Sequence, residues 1–390
     1  LKTFIIGALA LLAPFAARTA DFSWREHWPT HHVFADGTDL GLMLKYQYDV
    51  DRFSHDGNLY ENAQSFRRKE LGFFVKKKGV YDAMGLFDFQ AKVWLDVFFR
   101  LQTKAVAGND LGAVRVGFTK TPVGFEGNTN TGSTSFLEAS IPMQAIYANR
   151  RVGVDWALTR KRYLLQLGYY NGGNLQGKLD GRMVAGRAAW TPRNDPGDVL
   201  HLGISASREV PYGSTDGRGR YTPPGIRLRA VPEAGLATTR LVDTGVLAVA
   251  DHVDRRGTEL LWIGGPWSVQ GEYLDARVKL VDKPAYRAHG WYAFGSWVLT
   301  GEARGYSGGN NADVVPKRPW GAVEVLLRYS TLDLDDGPVL GGTEHDWTIG
   351  ANWYVTKYLK LQANYVRAVS DRRDVRADPR ILEVRAQIMF

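Results

Sequence analysis

Period-two alternation recurs along this chain from Gly37 onward, and it decides what the chain can fold into. In the last ten residues, ILEVRAQIMF, Leu382, Val384, Ala386, Ile388 and Phe390 share one face, and Glu383, Arg385 and Gln387 share the other. The same pattern organises YLLQLGYY, LHLGISA, WSVQGEY, WTIGANWYV and YLKLQANY. Successive side chains on a strand point to opposite faces, so each run reads as a strand with one apolar and one polar side. A strand that runs to the final atom is expected in a closed sheet, where it pairs back to the first.

About sixteen such runs can be counted, many near the ten residues a tilted strand needs to cross a bilayer. LFDFQAKVWLDVFFRLQ reads as one long strand or two. Alternation alone also fits a soluble barrel. The polar faces carry Arg, Lys, Glu, Asn and Gly, while Trp190, Trp262, Trp267, Trp291, Trp297, Trp320, Trp347 and Trp353 fall near strand ends. That is the pattern of an all-β, transmembrane antiparallel β-barrel with a wet lumen and interfacial aromatic girdles. An aromatic share of 12% and 43 glycines fit the same reading.

The front of the chain, LKTFIIGALALLAPFAARTA, has the architecture of a secretory signal peptide over residues 1–20. Its apolar core is too short to read first as a span. Cleavage is expected after Ala20, with Ala17 the alternative. Removal of Lys2 and Arg18 would take the net charge from +8 to +6. Residues 21–36 form a lead-in, and 37–390 are expected to be one barrel domain. Tight turns are expected at Thr356–Lys357 and Gly264–Gly265–Pro266. Long charged loops are expected at 120–147, 208–243, 300–319 and 331–345, with short turns at one barrel end and long loops at the other.

Several segments carry more than periodicity. FRRKELGFFVKKKG, VRVGFTKTPVGFE, SFLEASIP, YANRRVGV, GPWSVQGEY, LTGEARGY, RYSTLDL and NWY occur in an order that resembles the phosphate-selective porin O and P family. The resemblance runs from about Leu40 to Phe390. It implies a sixteen-stranded bacterial outer-membrane barrel, a homotrimer, with an inward-folded constriction loop. Arginines and lysines there would pass small anions, phosphate or polyphosphate. The terminal Phe390 resembles a barrel assembly signal.

An anion channel needs fixed positive charge in a confined passage, and arginine presents a planar fork that matches phosphate. The resemblance points to Arg67 and Arg68, which are neighbours on a strand and can share the lumen only at a bulge or loop edge. Arg115 opposes Val114 and Val116, so it is expected in the lumen. Lys120 and Arg151 match family positions beside the constriction loop. Arg150, Arg187 and Ser133 are weaker candidates for the anion path. Arg187, Arg304 and Arg328 have a competing role, pairing with lumen carboxylates such as Glu302 and Glu324 to stiffen the wall. Lys76, Lys77 and Lys78 read as a solvated strand end. Arg218, Arg220, Arg227 and Arg229 in the longest loop are expected to meet incoming anions or lipopolysaccharide phosphates. The resemblance implies lysine on the inward loop, but GNTNTGSTSF at 127–136 has none. That departure keeps a neutral polar solute open as an alternative.

Enzyme readings are weak. Cysteine is absent, which excludes thiolate nucleophiles and cysteine metal sites. His27, His31 and His32 form a cluster that reads as surface decoration and not as a metal site. No nucleophile elbow, zincin helix or phosphate-cradling loop occurs. No cofactor and no nucleic-acid partner is expected. A barrel enzyme or a structural surface protein is the remaining alternative.

Overall fold

The computed structural model describes residues 30–171, 173, 175 and 180–390. The expected signal peptide, most of the lead-in and His27 lie outside the described residues. Among the described residues, eighteen strands form one sheet, two of them only three residues long, and the other sixteen close the barrel. In chain order they are β1 Thr38–Ser54, β2 Ala63–Lys77, β3 Tyr81–Asp88, β4 Val93–Gln102, β5 Ala113–Lys120, β6 Arg150–Thr159, β7 Tyr163–Asn171 and β8 Gly181–Asp195. They continue as β9 Asp198–Pro211, β10 Ala250–Gly264, β11 Trp267–Leu280, β12 Tyr286–Val298, β13 Ala322–Asp336, β14 Val339–Tyr354, β15 Leu359–Arg372 and β16 Arg380–Met389. The ambiguous LFDFQ segment is therefore two strands, β3 and β4.

Closure is made by the ending that the alternation singled out. β16 pairs with β1 from Lys45↔Met389 to Ser54↔Arg380, and Leu44 and Phe390 exchange backbone bonds of 2.9 and 3.0 Å. The faces are inverted relative to a soluble protein. Leu382 and Val384 are exposed, whereas Glu383, Arg385 and Gln387 are buried. Aromatic rings line the outer face, with Trp267 stacked on Trp297 at 4.7 Å and Tyr329 lying 4.8 Å from Trp347. Among the described residues, no helix is long and apolar enough to cross a membrane.

The lead-in contributes a strand of its own, because His31–Val33 pairs with Leu40 and its neighbours on β1. His31 is turned onto Asp39 at 2.9 Å.

Two connections emerge at one end and fold into the barrel, 121–149 and 212–249. The first carries two short helices, α1 Phe125–Asn128 and α2 Ile141–Ile146. Ile141, Met143 and Ile146 pack against Leu228, Val242 and Leu247 of the second connection and against Val253, Leu274 and Val278 of the wall. The apolar core of this protein thus lies inside the barrel, between two loops and β10–β13. It fills one side of the lumen and leaves the polar passage against β2–β6.

Two loop expectations are corrected. Residues 331–345 are mostly strand, because β13 and β14 pair up to Asp336↔Val339 and leave only Gly337–Pro338 as a turn. Residues 299–321 leave the barrel at the end of the short turns, so that end is not uniformly short. The strand directions enforce this placement, since β12 and β13 are joined at the same end as Gly265–Pro266 and 355–358. Hydrogen bonds inside this connection form a hairpin, Arg304–Ser307 with Asn310–Val314, around Gly308–Gly309 at φ 58° and 80°. Positive φ at both central residues is what a tight two-residue hairpin turn requires.

Candidate functional site

The inward loop is held along its whole length by side chains of the wall. Glu272 of β11 accepts from the backbone N–H of Glu126 at 2.8 Å and from that of Phe125. Lys120 Nζ donates to the Thr129 carbonyl at 2.6 Å, Lys45 Nζ to Thr131 Oγ1 at 2.8 Å, and Lys360 Nζ to the Gly132 carbonyl at 2.7 Å. Asn352 reaches the Ser135 carbonyl, and Arg385 reaches that of Leu137. Buried carbonyls need donors, and the lumen face of the strands supplies them. The hydroxyls of the loop tip are consumed in the same way. Thr134 bonds the Thr131 carbonyl at 3.2 Å, and Ser133 Oγ donates to Asp313 at 2.8 Å.

Asp313 belongs to the hairpin from the opposite end, so the passage is narrowed from both directions. That hairpin is fastened by further clasps. Arg187 donates to the Gly309 carbonyl at 2.8 Å, Arg304 pairs with Glu324, and Asn311 bonds Gln270. His201 bridges Tyr306, 2.7 Å from Nδ1, and Glu259, 3.1 Å from Nε2. The carboxylate assigns the proton to Nε2, and Nδ1 then accepts from the Tyr306 hydroxyl. Burial pushes that hydroxyl up to about 12, which keeps it a donor.

The lumen cations divide into two groups by exposure. Arg187, Arg304, Arg328 and Arg385 have side chains at most 1% exposed, each against a carboxylate: Glu259, Glu324, Glu233 and Asp49. Arg151 joins them, buried with Arg255 on either side of Glu209. These are struts across the wall and loops.

Arg67, Arg68, Arg115 and Arg150 keep 32%, 15%, 20% and 16% of their side chains accessible. Arg67 and Arg68 sit where the β1–β2 register slips, Gln47 facing Arg68 while Tyr48 faces Phe66. The bulged Arg67 is the extra residue, and the bulge turns both guanidinium groups inward. Arg67 forks onto Glu138 at 2.8 and 3.0 Å, and Arg68 donates to Gln47 at 2.7 Å. Arg115 lies on Asp155 at 2.9 Å, and Arg150 forks onto Asp96 at 3.0 and 3.1 Å. Burial would raise the Glu138 carboxyl, but Arg67, Arg68 and Arg385 outweigh it and hold it well below the usual carboxylate range.

Of the residues singled out by sequence, the structure gathers Arg67, Arg68, Arg115, Lys120 and Arg150 on the β2–β6 side. It places Arg151 and Arg187 in struts and Ser133 under Asp313. Glu138, Asp96 and the hairpin Arg304–Val314 were not singled out. A signal for the hairpin existed, since Gly308–Gly309 lies between short polar runs. None existed for Glu138 as the partner of a residue 71 positions away.

A closed, loop-constricted barrel with accessible arginines along one wall can be set against known proteins. The model of the family described as Phosphate-selective porin O and P matches residues 40–390. The chain belongs to this family. The porin is 32% identical to Porin O of Pseudomonas aeruginosa over 208 residues, 48% of this chain and 47% of that one. The matched segments span about half the length of its curated relatives. Its fold resembles OmpT of Vibrio cholerae, with a TM-score of 0.59 at 9% identity over 92% of this chain and 99% of that one. It also resembles an anion-selective porin from Comamonas acidovorans, with a TM-score of 0.54 at 12% identity over 90% and 100%. Family and barrel together place this porin in the outer membrane, and both point to a channel and not to an enzyme.

Proposed function

We propose that the porin is a water-filled, anion-preferring diffusion channel for small anions such as phosphate or polyphosphate, with no catalytic chemistry. The observation that carries this reading is the division of the lumen cations. Buried struts hold the loops, while Arg67, Arg68, Arg115 and Arg150 remain accessible along one wall, with Lys120 at the root of the loop. An anion that loses water in the narrowed passage is compensated by successive guanidinium groups, each shared with the protein so that none holds it tightly. The family description, phosphate-selective, supports the phosphate class. A homotrimer is proposed on the family's precedent and on the trimer form solved for OmpT of Vibrio cholerae.

The test is single-channel recording in planar bilayers, with reversal potentials measured in a potassium chloride gradient and phosphate added as a blocker. Anion preference with phosphate block, both weakened in Arg67→Ala and Arg68→Ala, is the expected result. Cation preference would sink the proposal.

One observation favours a second reading, a channel for a neutral polar solute. The accessible arginines have Glu138, Glu70, Asp155 and Asp96 beside them. Fixed positive charge is therefore largely balanced, and the loop tip lacks lysine. Chloride current unaffected by millimolar phosphate would select this reading.

A further inference from the structure

Outside the lumen, the loop end of β10–β12 carries four basic side chains, Arg256, Arg277, Lys279 and Arg287, that stand outside the ion pairs of the wall. Arg277 of β11 and Arg287 of β12 are register partners, directly opposite each other. Both are exposed on the outer face. Like charges placed opposite on a sheet repel and destabilise the pair. Arg256 of β10 and Lys279 of β11 are exposed on the same face. Among the described residues, none of these four is in an ion pair. Asp254 faces Arg277 from β10, but its carboxylate is forked by Arg208 at 2.7 and 2.8 Å. Asp275 faces Arg256 and His289, His252 faces Lys279, and Asp336 accepts from the backbone N–H of Arg287 at 2.7 Å, so carboxylates flank the cluster without pairing with any of its four side chains.

Below these cations runs an aromatic row, Tyr273, Trp291, Tyr329 and Trp347, with Trp291 and Tyr329 5.3 Å apart. Arg277 lies four residues beyond Tyr273, and Arg287 four from Trp291, about 13 Å along the strand. Aromatic rings of this kind sit at headgroup level, with acyl chains on one side and polar headgroups on the other. With strands tilted about 40°, the cations stand roughly 10 Å above the rings, on their polar headgroup side, and they face lipid and not the passage.

We propose that Arg277 and Arg287, supported by Arg256 and Lys279, bind the phosphate groups of the phosphorylated glycolipid of the outer leaflet. One phosphate seated between Arg277 and Arg287 converts a repulsive pair into two charge-assisted contacts. The acyl chains below lie on the aromatic row. The inference rests on the outer-membrane placement and is independent of what the lumen conducts.

The experiment uses the full chain purified in a neutral detergent, with thermal unfolding followed as lipid is added. Bisphosphorylated lipid A is expected to raise the melting temperature of the wild type, and dephosphorylated lipid A is not. Arg277→Gln/Arg287→Gln should weaken the lipid A affinity about a hundredfold, the loss of two charge-assisted contacts at roughly tenfold each. Without lipid, Arg277→Gln should melt higher than the wild type, because the repulsion is gone. Single-channel conductance of the variant should be unchanged, since these residues lie outside the lumen. Equal stabilisation by dephosphorylated lipid, or by inorganic phosphate at the same concentration, overturns the proposal. That comparison needs only the wild type, so a folding failure of the variant would not rescue it.

Discussion

Arg67 and Glu138 form a bidentate ion pair, Nε to Oε1 at 2.8 Å and Nη2 to Oε2 at 3.0 Å, between the bulge of β2 and the inward loop. The pair does two jobs at once. It fixes the loop across the lumen, and it leaves part of the guanidinium group open to the passage.

Removing one partner uncovers the charge of the other. Arg67→Ala leaves Glu138 facing the passage with only Arg385 bonded to it, at 3.0 Å. Anion selectivity is expected to fall further in Arg67→Ala than in Arg68→Ala, whose closest partner is the neutral Gln47 amide. Glu138→Gln should move selectivity the other way. Reversal potentials in a salt gradient check all three, and an equal effect of the two arginine variants would contradict the assignment.

The pH dependence of the same pair has a defined sign. A carboxyl held below its unfolded value, about 4.3 for glutamate, adds stability above that value and loses it only as pH falls through the lower folded one. The contribution of Glu138 to selectivity should therefore be flat between roughly pH 5 and 8, where it stays ionised in both states. A selectivity change on acidification from neutrality to about pH 5 that is lost in Glu138→Gln would show that Glu138 titrates in that window.

Arg385 is a thoroughly bonded strut. Its side chain is fully buried, forked onto Asp49 at 2.7 and 2.6 Å, and bonded to the Leu137 carbonyl at 2.7 Å. Arg385→Ala strands a buried carboxylate, and such a loss is typically about 3–5 kcal/mol. Denaturant unfolding in detergent would measure it. A loss below about 1 kcal/mol would mean that solvent reaches Asp49, as at an exposed pair.

The hairpin Arg304–Val314 narrows the passage from the turn end, and Ser133–Asp313 ties it to the loop tip. Replacing residues 305–313 by a short Gly–Ser turn is expected to raise single-channel conductance. Asp313→Ala should increase open-channel noise by releasing the tip, with little change in mean conductance. Unchanged conductance after the deletion would place the hairpin outside the conducting route.

Much of the architecture was legible because a barrel writes itself into the chain one residue at a time. The alternation in ILEVRAQIMF already separates Glu383, Arg385 and Gln387 from Leu382 and Val384, and the structure puts the first group inside and the second against lipid. The misplaced loop at 331–345 has an identifiable cause. Charged residues such as Asp333, Asp335 and Asp336 resemble a loop in sequence, yet strands that extend beyond the membrane can carry them in solvent.

The arginines show where local reading stops. Arg115 opposes two valines in sequence, and that suffices to turn it inward. Arg67 and Arg68 depend on a bulge that exists only because β1 slips against β2. Arg151 and Arg150 are neighbours with the same chemistry, but Glu209 draws one into the wall while Asp96 holds the other beside the passage. Alternation, turn residues and aromatic placement are short-range properties, so the sequence by itself determined an inverted barrel and its closure. Which cations are struts and which stay free was decided by carboxylates up to 336 positions away, because a buried charge is settled by its partner and only the closed barrel brings the partners together.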